Sequence, residues 1–163
     1  MEKDSIKKSY YTLERNVLIL IAIPLPFFAF IFLSTQNGTL DFKLPDLPAF
    51  WDSFGLGLAY AFLALHYFAF QSSIKKIRAG NFELEKKMSM YSRATHLRFW
   101  ALFASILLCA AGLMFFENSG YTIAFAISLV FMSLGKPSPD RIIRLLRLKG
   151  AEKELIEELK RPG

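Results

Sequence analysis

The sequence contains a single cysteine, Cys109, and only two histidines, His66 and His96. One cysteine excludes an internal disulfide, a CxxC redox pair and a metal site built from several cysteines. Acidic residues are also missing from the long apolar runs, none of which contains Asp or Glu. Small transporters that are coupled to protons or sodium ions usually need such a carboxylate inside a membrane helix. These absences argue against redox, metal-centred and ion-coupled chemistry.

Apolar residues, in contrast, are in excess. They make up 53% of the 163 residues, and the 17 phenylalanines are more than a soluble core of this size can use. Four apolar runs stand out, at residues 17–33, 54–70, 99–116 and 121–134, and we interpret each as a transmembrane span. The first run lacks a small-residue cleavage pattern behind it, so we interpret it as a retained span and not as a signal peptide. The sequence therefore predicts an all-α fold, in which residues 1–135 form an antiparallel four-helix transmembrane bundle.

The positive charges are distributed unevenly between the polar connections. All of the 20 lysines and arginines except Lys43 fall in the N-terminal segment, in the connection 71–98 or in the tail 136–163. Cytoplasmic segments of membrane proteins retain such cations during insertion. Because four spans place these three segments on one side, the sequence predicts that both termini are cytoplasmic. The net charge of +6 then suits an anionic membrane surface better than nucleic acid.

Two of these polar segments have helical patterns of their own. The connection breaks at Ala79-Gly80-Asn81 and then leads into the third span, which predicts a cytoplasmic helical hairpin extension. The tail 136–163 is predicted to be an amphipathic helix that starts at Ser138-Pro139-Asp140. It could anchor the topology, contact anionic lipid headgroups, or dock on a partner or on the hairpin. The candidate residues for contacts with anionic lipids or a partner are Lys75, Lys76, Arg141, Arg144 and Arg147.

Small residues at helical spacing mark the predicted helix contacts. Lipid supplies no hydrophobic drive for helix association, so close approach of backbones at Gly, Ala, Ser and Cys positions replaces it. The second span has two such faces, one of which carries Gly55, Ala59 and His66. The third span has one stripe, in which we interpret the cysteine as a small packing residue. The predicted helix-packing residues are Gly57, Ala61, Ala64, Ala101, Ser105, Cys109 and Gly112.

His66 is the ionisable residue that lies well inside a predicted span, which makes it the intramembrane polar candidate. Its simplest interpretation is a neutral imidazole that is hydrogen-bonded to a neighbouring carbonyl or hydroxyl group. Two histidines on adjacent helices could also ligate haem, but His66 and His96 lie at different depths, and we predict neither a cofactor nor a metal. The spans contain no paired acids and no glycine-rich phosphate loop, so we predict no catalytic residues.

Together these features favour a non-catalytic accessory or interaction subunit of a larger membrane assembly. Its predicted partners are anionic lipids and other membrane subunits or further copies of the same chain. One alternative is a homo-oligomeric channel or small-solute transporter, with Pro24, Pro26 and His66 near the pathway. The two prolines also predict a kink in the first span. A second alternative is a haem- or lipid-related membrane enzyme, which would need a buried polar cluster that the sequence does not display.

Two short segments of the C-terminal half carry a resemblance. Lys-Lys-Met-Ser-Met-Tyr-Ser-Arg-Ala at 86–94 precedes the third span, and Lys-Pro-Ser-Pro-Asp-Arg-Ile-Ile at 136–143 follows the fourth. In these segments the sequence resembles a group of small four-span membrane proteins that are common in Bacteroidota. The resemblance implies a location in the bacterial inner membrane. Because the group has no assigned function, the resemblance implies no activity and no site residues.

Overall fold

The computed structural model describes residues 1–39 and 43–161. The chain is 85% helical and has no strand in its described part, which confirms the predicted all-α class. The described residues form seven α-helices, and a 3-10 turn at Glu158–Lys160 follows the last of them. The helices are α1 (Glu2–Ala22), α2 (Pro24–Asn37), α3 (Ala49–Ala79), α4 (Leu84–Phe116), α5 (Ser119–Gly135), α6 (Pro139–Leu146) and α7 (Gly150–Glu157).

Three helical stretches are long and apolar enough to cross a membrane: Glu2–Asn37, Ala49–Ala79 and Leu84–Phe116. The fourth candidate is the pair α5 and α6, whose axes are bent by 87° at the break between them. The 17 residues of α5 alone rise about 25 Å, somewhat less than a typical hydrocarbon core of ~30 Å. Residues 1–39 and 43–161 therefore contain three to four candidate membrane spans.

The first apolar stretch is interrupted at Ile23, where the sequence predicts a kink. Pro24 and Pro26 lack the N–H groups that would bond to the preceding turn. Ile23 nevertheless keeps helical angles, with φ −66° and ψ −50°, so α1 and α2 continue as one run of 36 residues. This run ends at Gly38, whose φ of 61° is in the left-handed region that glycine adopts without steric cost.

Helix α4 is the central helix of the molecule. It packs against α1, α2, α3 and α5, and it forms a hairpin with α3 through residues 80–83. The buried positions recur every three or four residues along its whole length, as expected for a helix with neighbours on one broad face. The members of this buried row are Leu84, Met88, Tyr91, Thr95, Arg98, Leu102, Ser105, Cys109 and Gly112.

The N-terminal segment, the turn between α3 and α4 and the tail fold together at one end of the molecule. Helix α1 includes the N-terminal segment, and its buried Ile6 and Leu13 form part of the hydrophobic core. The Ser5 hydroxyl donates a hydrogen bond to the Glu85 carboxylate at 2.6 Å, which places the start of α1 beside the start of α4. We call this region, which also contains residues 80–83, α6 and α7, the polar end.

The tail also packs on the polar end. As predicted, its first helix starts with Ser138, whose hydroxyl accepts a hydrogen bond from the Arg141 N–H at 3.3 Å. Ile142 in α6 and Ile156 in α7 are fully buried. Among the roles proposed for the tail, docking on the hairpin is therefore the one for which the structure provides direct contacts.

Polar contacts connect the docked tail to three other helices. Arg78 of α3 donates a hydrogen bond from Nε to the Leu145 carbonyl of α6. Lys87 of α4 pairs with Glu152 of α7 at 2.9 Å. Lys3 of α1 pairs with Glu158, and its hydrogen bond and charge keep the pKa of that carboxyl group below the ordinary value. This contact therefore contributes when Glu158 is ionised and is lost as the pH falls through that lowered pKa.

Candidate functional site

The inner face of α3 uses small residues for close helix packing. Ala59 is fully buried, and its carbonyl accepts a hydrogen bond from the Ser105 hydroxyl of α4 at 3.2 Å. A Cβ atom added to Gly55 would lie 2.8 Å from the Tyr121 hydroxyl oxygen of α5. Contacts this short need glycine or alanine on the approaching helix. The three helices α3, α4 and α5 therefore meet through small side chains.

The stripe of small residues on α4 faces this same contact. Ser105, Cys109 and Gly112 are buried, whereas Ala101 is partly exposed. The Ser105 hydroxyl also approaches the Ser128 hydroxyl of α5 at 3.5 Å. Cys109 is a free, buried thiol in the hydrophobic core.

The other face of α3 is different, because nothing in the described chain covers it. Gly57, Ala61 and Ala64 are all exposed, and a Cβ atom added to Gly57 would meet no heavy atom within 4 Å. Two exposed phenylalanines on the same side of the helix, Phe54 and Phe68, border these small residues. The result is a shallow strip of small side chains between two bulky ones.

His66 lies on the inner face of α3, where its side chain is 2% exposed. The ring packs against Phe131 of α5 in an edge-on arrangement, with centroids 4.7 Å apart. Neither ring nitrogen has a hydrogen-bond partner. The ring lies close to the backbone of Phe62 and Leu63 without forming a hydrogen bond of regular geometry, so the expected bond to a carbonyl group stays a prediction.

Arg98 is the main feature that the sequence analysis missed, since it assigned this residue to the connection before the third span. The side chain is 6% exposed and lies between α3, α4 and α5. The guanidinium carbon lies 4.7 Å from the centre of the Phe70 ring, and Nη2 donates a long hydrogen bond of 3.4 Å to the Phe131 carbonyl. A Cβ atom added to Gly135 would lie 3.1 Å from the same guanidinium carbon, so the last turn of α5 closes over it. Nε of Arg98 has no partner.

Three further polar side chains adjoin Arg98. Tyr91 and Thr95 precede it on the buried row of α4 and are fully buried. Arg141 of the docked α6 lies close to both Tyr91 and Arg98. Thr95 and Arg141 lie beside the Tyr91 hydroxyl, but the Tyr91 and Thr95 hydroxyls and Nε of Arg141 form no hydrogen bond of regular geometry.

These five residues, His66, Tyr91, Thr95, Arg98 and Arg141, form what we call the cationic cluster. All buried side-chain nitrogen and oxygen atoms that lack a partner in the described residues belong to it. The ion pairs of residues 1–39 and 43–161 lie elsewhere, so no carboxylate balances the two arginines. Burying charge without a counter-charge costs several kcal/mol.

A cavity opens beside the cationic cluster, between α3 and α4. It has a volume of about 200 Å³ and is lined by both His66 and Arg98. Its other walls are mostly apolar and include Leu65 and Leu97, which are 62% and 63% exposed. Along α3 the cavity extends from Phe62 to Ser73, a rise of about 16 Å.

The predicted contact residues for anionic partners have different surroundings. Lys75 and Lys76 near the end of α3 are exposed, as are Arg144 and Arg147 on the tail. Arg141 is half-buried and belongs to the cationic cluster. Four of these five predicted contact residues therefore lie on the surface, and Arg141 is partly enclosed.

The two histidines are not brought together. The His96 ring contacts α1, where Nε2 lies 3.1 Å from the Asn16 amide nitrogen, and Nδ1 lies 2.9 Å from the Ser92 carbonyl oxygen. His66 instead faces Phe131 of α5. Within residues 1–39 and 43–161, no group of three or more His, Cys, Asp or Glu side chains is arranged to hold a metal ion.

Comparison with known proteins adds no family to this description. The sequence matches no protein-family model, and neither a curated protein nor a solved structure is significantly similar to it. The resemblance to the four-span proteins of Bacteroidota therefore remains a prediction.

Proposed function

We propose that this chain is a four-span protein of the bacterial inner membrane with both termini in the cytoplasm. In this arrangement the spans are antiparallel, and the fourth is α5 with the bend into α6. Support comes from the polar end, where contacts of Ser5 with Glu85 and of Lys87 with Glu152 join the N-terminus, the hairpin and the tail. These are the segments that carry all the lysines and arginines except Lys43, as expected for cytoplasmic segments.

Within that membrane, we propose a non-catalytic accessory subunit that binds a transmembrane helix of another subunit. The observation that carries this proposal is the exposed strip on α3, formed by Gly57, Ala61 and Ala64. The comparable stripe on α4 is buried against neighbouring helices, and it includes Ser105 and Gly112. Small residues favour helix association by allowing backbones to approach, so the uncovered strip suits a further helix.

The geometry gives less support to a channel. Pro24 and Pro26 lie on α2, which packs on α4, whereas His66 lies on α3 and faces Phe131 of α5. Neither proline lines the cavity that His66 lines.

Replacing Ala61 by leucine tests the proposed strip. We expect Ala61→Leu to lower recovery of the partner about tenfold after gentle detergent extraction, because the added side chain separates the two backbones. The partner should carry a membrane helix and should crosslink to a cysteine introduced at position 61. Thermal unfolding of the variant should be unchanged, since Ala61 is exposed in the isolated chain.

Ala29→Leu provides the matched control, because Ala29 is an exposed alanine on α2. It makes the same chemical change away from the strip and should leave partner recovery intact. Equal losses for the two variants would count against the strip. Recovery of this chain alone from the native membrane would refute the accessory role. If position 61 crosslinks to a second copy of the chain, the strip mediates self-association and not binding of another subunit.

A further inference from the structure

The cationic cluster has hydrogen-bond donors and positive charge but, among the described residues, no carboxylate to balance that charge. His66, Arg98, Tyr91 and Thr95 are each at least nine-tenths buried and carry polar atoms without partners. Buried polar groups in folded proteins are nearly always paired with protein, water or ligand. A cluster in which two arginines lie together without a carboxylate is expected to bind an anion.

We propose that the cationic cluster binds the phosphate group of an anionic membrane lipid. Arginine suits this ligand because its planar guanidinium group donates parallel hydrogen bonds to phosphate oxygens. Arg98 donates from its free Nε, His66 donates from its ring, and Arg141 contributes the second positive charge from α6. The bound phosphate accepts hydrogen bonds from Arg98 and His66, which are the two cluster members that line the adjoining cavity.

The shape of the adjoining cavity favours a lipid over a free phosphate ion. Its apolar walls include Phe62, Leu65 and Ala101, which an inorganic anion could not use but an acyl chain could. Ser73 lies at its other end, about 16 Å along the helix from Phe62. An elongated apolar groove with cations beside it matches a molecule that combines a hydrocarbon chain with a charged headgroup.

The position of the cluster agrees with this assignment. Arg98 directly precedes the apolar run 99–116, so in a membrane it lies near the level of the phosphate groups. The lipid source of the phosphate rests on the proposed membrane location. It does not depend on the strip on α3, since Ala61 is not part of the cavity lining. Partner recovery and lipid binding can therefore fail separately.

The amount of lipid that stays bound to the protein measures occupancy of the proposed site directly. The full-length protein is reconstituted in nanodiscs of phosphatidylcholine and phosphatidylglycerol in equal amounts, and the lipids that stay bound are counted by native mass spectrometry. We expect wild-type protein to retain phosphatidylglycerol preferentially. Arg98→Gln should reduce this retention about tenfold, the effect of losing charge-assisted hydrogen bonds.

Arg93→Gln is the matched control, because Arg93 is an exposed arginine on α4 that is not among the predicted lipid contacts. It removes the same charge at the same end of the molecule and should leave retention unchanged. If Arg98→Gln fails to fold, His66→Gln takes its place and should also reduce retention. Equal retention in wild type and in a folded cluster variant would overturn the proposal.

A second arm identifies the source of the phosphate. Inorganic phosphate is added to protein in nanodiscs of phosphatidylcholine alone, and thermal unfolding is followed. Phosphate could stabilise the wild-type protein but not Arg98→Gln, while the wild type shows no preference for phosphatidylglycerol. In that case the cluster binds phosphate, but from a soluble ligand and not from a lipid. If neither lipid nor phosphate has an effect, buried water or a carboxylate of a partner subunit compensates the cluster, and the proposal is wrong.

Discussion

Gly112→Ala should destabilise the helical bundle by about 3 kcal/mol, although it adds only one methyl group. The added Cβ atom would overlap the Tyr121 ring, which is fully buried. The ring cannot move away easily, because its hydroxyl group donates to the Asp52 carbonyl at 2.8 Å and lies against Gly55 on α3. Tyr121 is thus held between two glycines, and either α4 or α5 must shift to admit the methyl group.

Gly57→Ala is the control for this prediction, since it makes the same change on the exposed strip of α3. With no heavy atom within 4 Å of the new Cβ atom, only helix propensity changes, and stability should rise by up to about 1 kcal/mol. Thermal unfolding in one detergent compares the two variants. A double variant with Tyr121→Leu should recover part of the loss, because the two changes remove the same clash. Equal unfolding temperatures for Gly112→Ala and Gly57→Ala would show that Tyr121 does not occupy this position.

The sequence predicted the apolar part of the fold better than its polar part. The runs 54–70 and 99–116 lie inside α3 and α4, because uninterrupted apolar residues mark helices by composition alone. The helices are longer than the runs, since α3 continues to Ala79 and α1 begins at Glu2. The N-terminal segment looked polar on average, but its apolar residues recur at helical spacing and pack on α4.

Arg98 shows why the candidate site was harder to predict. By residue type alone, an arginine next to an apolar run indicates a membrane boundary. The available signal was its position, because Arg98 follows Tyr91 and Thr95 at spacings of seven and three on the row that continues to Ser105. A residue at a position on that row is predicted to be buried, whatever its side chain. The contribution of Arg141 could not be found this way, since it depends on the tail folding back onto the hairpin.

A substitution that undocks the tail should also have a large effect on local stability. Ile142→Asn should release α6 and α7 from the polar end, because Ile142 is fully buried there. Loss of its apolar contacts and burial of an amide together cost about 4 kcal/mol. Hydrogen exchange of the tail amides should therefore become more than about a hundredfold faster. Amides in the central part of α4 should keep their protection, since α4 is held by α1, α2, α3 and α5.

Arg144→Asn introduces the same amide at an exposed position of α6 and should leave exchange of the tail unchanged. Unchanged protection in Ile142→Asn would show that α6 is held by contacts other than this side chain. The variant also connects the tail to the cationic cluster, because Arg141 reaches the cluster only while α6 is docked. Ile142→Asn should accordingly weaken phosphatidylglycerol retention even though Ile142 itself has no charge. Such a loss would show that the tail supplies a ligand group from outside the apolar helices.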